Sequence, residues 1–212
     1  MTYTGRKFPN ITVPAMNELG DTIELNVLEE AVKNKKKVLL FWYPKDFTFV
    51  CPTELHAFQE ALPEFDKRNT IVIGASCDTA EVHFAWLNTA KDQGGIEGVT
   101  YNILADSNRN LSSVLGILDA QQTVRNEELD IDLKVGDNVT YRATYLIDEE
   151  GVVFHEGVNH MPLGRNVSEF LRMIDAYAHV QQHGEVCPAN WEEGKDAMKA
   201  DRSGVADYLS SH

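Results

Sequence analysis

Residues 37–43 (KVLLFWY) form an unbroken apolar run rich in strand formers, preceded by a lysine cluster and followed by Pro44. That is the pattern of a central strand covered on both faces. Residues 70–75 (TIVIGA) repeat it, and between the two runs Leu55, Phe58, Leu62 and Phe65 recur at helical spacing. The spacing predicts one helix over 52–68 with a single buried face. Strand, helix, strand is the opening of a layered α/β fold. Downstream, 80–91 reads as a helix, 101–104 as a short strand and 110–118 as a helix. Residues 140–147 and 151–158 then alternate like a hairpin around the turn Asp148-Glu149-Glu150-Gly151. Residues 165–182 close the pattern as an amphipathic helix with Val167, Phe170, Leu171, Ile174 and Tyr177 at core-facing spacing. The tail, 184–212, is polar and short of core-forming residues, so it is expected to dock on something rather than fold alone. The polar, acidic stretch 119–138 reads as a surface loop.

Composition narrows this to one substantial core with an appendage: the chain has 212 residues, 43% of them hydrophobic. A formal net charge of -14 repels phosphate backbones and anionic membranes, which disfavours nucleic-acid and membrane partners. Residues 1–10 hold no apolar stretch of the signal-peptide kind, and the longest apolar run, 38–43, is far too short to cross a bilayer. The expectation is a soluble, cytoplasmic protein. Lys35, Lys36 and Lys37 read as a solvated turn rather than an anion site. Three cysteines, Cys51, Cys77 and Cys187, are too few and too scattered for a secreted disulfide framework, so each is judged by its surroundings.

Cys51 stands where a strand has ended and a helix begins. Pro52 suits a first helical position, since it has no amide hydrogen to leave unpaired and its φ is already helical. Glu54 would then be the third helical residue, reaching back to the capping amide, and Cys51 the cap itself. A thiol placed there feels the positive end of the helix dipole, which favours the thiolate, the nucleophilic form. Cysteine is often merely buried, but the helix start favours a reactive thiol over a packing one.

Pro44, Thr48 and Cys51 fit the pattern Pro-x-x-x-Thr-x-x-Cys, and FWYPKDFTFVCPTE resembles the signature of the typical two-cysteine peroxiredoxins. The segments HFAWLNT (83–89), YRATYLID (141–148), LGRNVSEFLRMIDA (163–176) and HGEVCPANW (183–191) resemble the same family in the same order. The resemblance implies a thioredoxin-like α/β fold with a mixed central sheet flanked by helices over 1–182, and a C-terminal arm, 183–212, that carries a resolving cysteine. It implies a peroxidatic role for Cys51, with Thr48 hydrogen-bonding the thiolate and the peroxide and Pro44 shielding the sulfur from water. Arg142 matches the arginine that favours the thiolate and holds the peroxide oxygens, with Glu54 and Arg165 in support. Donors fixed on both oxygens would stabilise the charge that builds on the departing oxygen.

By the same resemblance, Cys51 sulfenic acid is resolved by Cys187 of a partner subunit, in a homodimer that assembles into a decameric ring. The implied reaction reduces hydrogen peroxide or organic hydroperoxides without metal, haem, flavin or other cofactor. Thioredoxin or a flavoprotein disulfide reductase is the implied reductant. Cys77 is expected to pack. No cysteine pair has the short spacing of zinc ligands, and His56, His83 and His183 read as surface or packing residues. Two alternatives are less favoured. Dithiol exchange wants Cys-x-x-Cys where this chain has Pro52, Thr53 and Glu54 after Cys51, and nothing in the sequence argues independently for a holdase chaperone. Easily overoxidised members carry a Gly-Gly-Leu-Gly loop and a terminal Tyr-Phe pair. Here the matching segments are Gly94-Gly95-Ile96-Glu97-Gly98 and Tyr208-Leu209, which points to intermediate or low sensitivity.

Overall fold

Sequential burial of every side chain from Val38 to Tyr43 makes this run the middle of a sheet. A computed structural model of the chain describes residues 2–119 and 122–211, apart from the side chains at 122, 134 and 135. Residues 1, 120, 121 and 212, which fall within stretches read above, lie outside the described residues. In chain order the elements are β1 (Thr12–Met16), β2 (Thr22–Asn26), α1 (Val27–Asn34), β3 (Lys37–Trp42), α2 (Cys51–Glu60), α3 (Leu62–Lys67) and β4 (Thr70–Ser76). There follow α4 (Ala80–Leu87), β5 (Ile103–Ala105), α5 (Asn110–Leu115), β6 (Gln122–Asn126) and β7 (Ile131–Val135). The chain ends with β8 (Arg142–Ile147), β9 (Val153–Asn159), α6 (Val167–His183) and α7 (Arg202–Ser211). Seven strands form one sheet in the order β2-β1-β5-β4-β3-β8-β9. β3 pairs parallel with β4 and antiparallel with β8, so the sheet is mixed, as expected of a thioredoxin-like fold.

Val38, Leu40 and Trp42 join Ile73, Leu104 and Tyr145 in one core cluster. On the opposite face of β3, Phe41 stacks on Phe58 of α2 with ring centroids 4.1 Å apart. Burying side chains of this size contributes about 1.5–3 kcal/mol each. α2 is thereby fixed across the strand that feeds it, which sets where its first turn lies.

The helix expected over 52–68 is two helices. Pro63 has no amide hydrogen to continue the ladder and its ring crowds the preceding turn, so α2 ends at Glu60 and α3 starts afresh at Leu62. The stretch 119–138 is not a loop throughout: β6 and β7 pair as a separate antiparallel hairpin, with Val124 opposite Leu133 and Asn126 opposite Ile131. The β1–β2 hairpin and α1 are additions that the hydrophobic pattern did not announce. α1 is capped by the Asn26 side chain, which accepts from the Glu29 amide.

The chain groups into two compact units, Met1–Arg165 and Asn166–His212. Within the second, the tail lies on α6. Arg172 Nη1 donates to the Trp191 carbonyl at 3.1 Å, the Cys187 sulfur lies 3.6 Å from the Ala176 carbonyl, and Val186 bridges Met198. Among the described residues no helix is long and apolar enough to cross a membrane.

Candidate active site

The chain leaves β3 under restraint on both sides. The Tyr43 amide donates to the Ala75 carbonyl at 2.9 Å, and the Thr140 hydroxyl donates to the Tyr43 carbonyl at 3.0 Å. Pro44 is buried. Phe47 then takes a left-handed backbone, φ +54°, a conformation that costs a bulky residue on the order of 1–3 kcal/mol. Its ring lies 5.7 Å from that of Trp86. The Thr48 hydroxyl donates to the Lys45 carbonyl at 2.9 Å, closing the turn that leads into α2.

α2 begins one residue earlier than its sequence signals imply. Cys51 is the first helical residue, Val50 the cap, and Pro52 stands at the second position. Val50 has no side-chain acceptor. Its carbonyl instead receives the amides of Thr53 (3.1 Å) and Glu54 (3.3 Å) and the Thr53 hydroxyl (2.6 Å). Glu54 makes no capping box, because its carboxylate has stronger partners than a backbone amide. Arg142 Nη1 donates to one of its oxygens at 2.5 Å, and Arg165 grips both, Nε at 2.8 Å and Nη2 at 2.9 Å, with the Arg165 amide adding a bond of 2.9 Å.

The Cys51 sulfur, buried to 1% exposure, lies 3.5 Å from Arg142 Nη1. Arg142 starts β8, and its Nε is held by the Met161 carbonyl at 2.5 Å. Arg165 also donates to the Ala143 carbonyl and the Thr144 hydroxyl, and its guanidinium covers the Phe41 ring at 5.1 Å. These side chains are all but sealed from water. Two guanidiniums against one carboxylate leave a single uncompensated positive charge in a buried space. A thiolate at Cys51 would neutralise it, which is the surrounding a nucleophilic sulfur needs.

The structure thus brings together Cys51, Glu54, Arg142 and Arg165, with Pro44 and Thr48 on the adjoining loop. Cys187 belongs to the second unit. It is half-buried, and burial raises its thiol above the ordinary range. All three cysteines are free thiols. Cys77 is buried, with its sulfur 3.7 Å from the Ser112 hydroxyl, and desolvation pushes it up to about 11. At physiological pH it therefore stays protonated and unreactive.

His83 is a packing residue, with polar ties as well. It is fully buried and bonded at both nitrogens, Nδ1 to the Asp46 carboxylate at 2.7 Å and Nε2 to the Leu104 carbonyl at 3.1 Å. The Tyr43 hydroxyl donates to the other Asp46 oxygen at 2.7 Å. Burial raises the Asp46 carboxyl above the usual carboxylate range, and the same burial raises the Tyr43 phenol. No sequence signal links these residues; a histidine on an apolar helix face is the only hint. His56, half-buried on α2, bonds the Gly95 carbonyl through Nε2 at 3.0 Å, and the exposed His183 lies beside His179. Among the described residues, no group of three or more His, Cys, Asp or Glu is arranged to hold a metal ion.

Fold and site together define a thiol-dependent peroxidase, and comparison with known proteins gives the lineage. Residues 4–156 match the AhpC/TSA family, and residues 176–211 match the C-terminal domain of 1-Cys peroxiredoxin. Alkyl hydroperoxide reductase C of Helicobacter pylori is 40% identical over 209 residues, covering 96% of this chain and 94% of its own. Peroxiredoxin-2 of Bos taurus is 40% identical over 177 residues, covering 84% and 81%. The crystal structure of reduced Plasmodium vivax 2-Cys peroxiredoxin matches with a TM-score of 0.87 at 39% identity, covering 99% of this chain and all of that one. The chain belongs to the AhpC/TSA family and is a peroxiredoxin of the typical two-cysteine kind.

Proposed function

We propose that Cys51 reduces hydrogen peroxide and organic hydroperoxides and that Cys187 of a partner subunit completes the cycle. The observation that carries this reading is the buried sulfur beside Arg142, with Glu54 and Arg165 locking that guanidinium in place. The Cys51 thiolate attacks one peroxide oxygen, the O–O bond breaks, and the departing oxygen takes a proton to leave as water or an alcohol. Arg142, and Thr48 once its hydroxyl turns from Lys45, are the donors that meet the developing charge. Phe49 and Leu163, exposed on the two segments that border Cys51, give apolar walls suited to an organic group.

Cys51 is left as sulfenic acid, and the Cys187 thiol condenses with it, forming the disulfide and releasing water. No side-chain cap holds the start of α2, so local opening of its first turn is the natural way to bring the sulfurs together. An external dithiol then reduces the disulfide; thioredoxin or a flavoprotein disulfide reductase has the required chemistry. Reciprocal use of Cys187 calls for a homodimer, and a decameric ring of dimers is the assembly we assign. Three free thiols fit a reducing compartment, the cytoplasm.

Cys51→Ser should abolish peroxide turnover while the fold persists, since an alcohol is not a comparable nucleophile near neutral pH. Cys187→Ser should be oxidised once at Cys51 yet run as monomer on non-reducing gels after peroxide, where wild type runs as linked dimer. Turnover by the Cys51 variant, or linked dimer from the Cys187 variant, would refute the assignment.

A further inference from the structure

Asp46, in the loop between β3 and α2, is tied at three points. Its amide donates to Asp78 Oδ2 at 2.9 Å, one carboxylate oxygen accepts from Tyr43, and the other faces His83 Nδ1 at 2.7 Å. The Leu104 carbonyl can only accept, so His83 Nε2 carries a hydrogen, and a single proton is shared between His83 Nδ1 and Asp46. Either placement of that proton gives a bond, whereas its absence would set two lone pairs against each other. A buried polar pair is an expensive way to fill space, because an apolar pair of the same volume does so without desolvation. What the pair supplies is a fixed distance between α4 and the loop.

α4 reaches Asp46 and Phe47 at two points one turn apart. His83 takes Asp46, and Trp86 takes the ring of Phe47, the residue held at positive φ. Thr48 follows directly, its hydroxyl set by the Lys45 carbonyl within the same loop. Released from α4, Phe47 would relax toward ordinary backbone and carry Thr48 with it.

We propose that His83 is a positioning residue for peroxide reduction, holding through Asp46 the strained loop that carries Thr48, three residues before Cys51. This rests on the reading of Cys51 and Thr48 given above. The thiolate's own charge partner, Arg142, comes from β8, so loss of the His83 link should disturb the peroxide far more than the sulfur.

Two substitutions separate the two bonds of His83. Asparagine can reproduce the Nδ1 contact with Asp46, and glutamine the Nε2 contact with Leu104. Each variant is reacted with hydrogen peroxide and, separately, with iodoacetamide, which needs the Cys51 thiolate but no held peroxide. His83→Gln should oxidise at least tenfold more slowly than wild type with alkylation within threefold. His83→Asn should stay within threefold on both. Unchanged oxidation in His83→Gln, equal losses in the two variants, or alkylation falling in step with oxidation overturns the proposal. If His83→Gln does not melt cooperatively, the same split is read from Asp46. Asp46→Asn, which can still bond both Tyr43 and a neutral His83, should behave as wild type, and Asp46→Ala should show the loss; equal behaviour of those two overturns it. A wild-type protein inert to peroxide would instead sink the function assigned to Cys51, which keeps the two failures distinct.

Discussion

Removing Arg142 and removing the charge of Glu54 should have opposite profiles, because the buried charges balance differently in each case. With Arg142→Met, Glu54 keeps its two-pronged pair with Arg165, so those two buried ions still cancel. The fold loses the bond to the Met161 carbonyl and a charged donor, a cost of about 1–2 kcal/mol. The chemistry loses much more. A guanidinium 3.5 Å from a thiolate is worth at most about 5 kcal/mol at an effective dielectric constant near 20. Loss of one preorganised donor typically costs about 2.7–4 kcal/mol in the transition state. Oxidation of Cys51 should therefore slow by about 100- to 1,000-fold. With Glu54→Gln, two guanidiniums that are nearly sealed from water lose their counter-charge, and stability should fall by about 3–5 kcal/mol. Stopped-flow tryptophan fluorescence under single-turnover hydrogen peroxide gives the rates, and urea unfolding of the reduced proteins gives the stabilities. An Arg142→Met enzyme oxidised within threefold of wild type, or destabilised as much as Glu54→Gln, would refute the charge balance argued here.

Cys77 gives an alkaline signature. Its folded-state value is pushed up to about 11 from 9.0, so between those values the folded protein holds a proton that the unfolded chain has lost, and stability falls as pH rises. The stability gap between wild type and Cys77→Ala should narrow by about 2 kcal/mol between pH 8 and roughly 10.5, with the raised tyrosines common to both and cancelling. A gap that does not change with pH contradicts this. Tyr208-Leu209 in place of an aromatic pair should loosen the tail by on the order of 1 kcal/mol and let the disulfide form before a second peroxide reacts. Mass spectrometry during turnover should then show little Cys51 sulfinic acid at low micromolar peroxide, and abundant sulfinic acid there would count against it.

Much of the sheet was legible because its central strands carry continuous apolar runs: nothing but a two-sided core explains KVLLFWY, and β3 and β4 follow from such runs, while the β8–β9 hairpin follows from alternation around the turn Asp148-Glu149-Glu150-Gly151. β1 and β2 lie at and next to the sheet edge, where five residues, one of them Pro14, give too short a pattern to stand out. The break at Pro63 was written in the sequence, but the apolar spacing of Leu55, Phe58, Leu62 and Phe65 continues across it, and periodicity cannot see a missing amide. At the site, Cys51, Arg142, Glu54 and Arg165 were legible through the motif segments, whereas the start of α2 was placed one residue late because the signals of Pro52 and Glu54 outweighed a cap without a side-chain acceptor. His83 and Asp46 were invisible as a pair. They stand 37 residues apart, and only burial turns two common surface residues into one rigid link.

The β6–β7 hairpin is anchored at its root. Leu118 bridges Thr140, the Asp119 amide donates to the Val139 carbonyl at 2.8 Å, and Arg109 Nε holds the Asn138 carbonyl. With the two ends already brought together by the domain, the chain between them is thermodynamically almost free to change length, since doubling a closed loop costs only about 0.6 kcal/mol. The hairpin is thus a natural docking bay for foreign sequence: an epitope, a fluorophore-binding tag or a targeting peptide spliced between Asn126 and Ile131 would ride on the outside of the enzyme without asking the sheet, or the cysteine at its centre, to adjust.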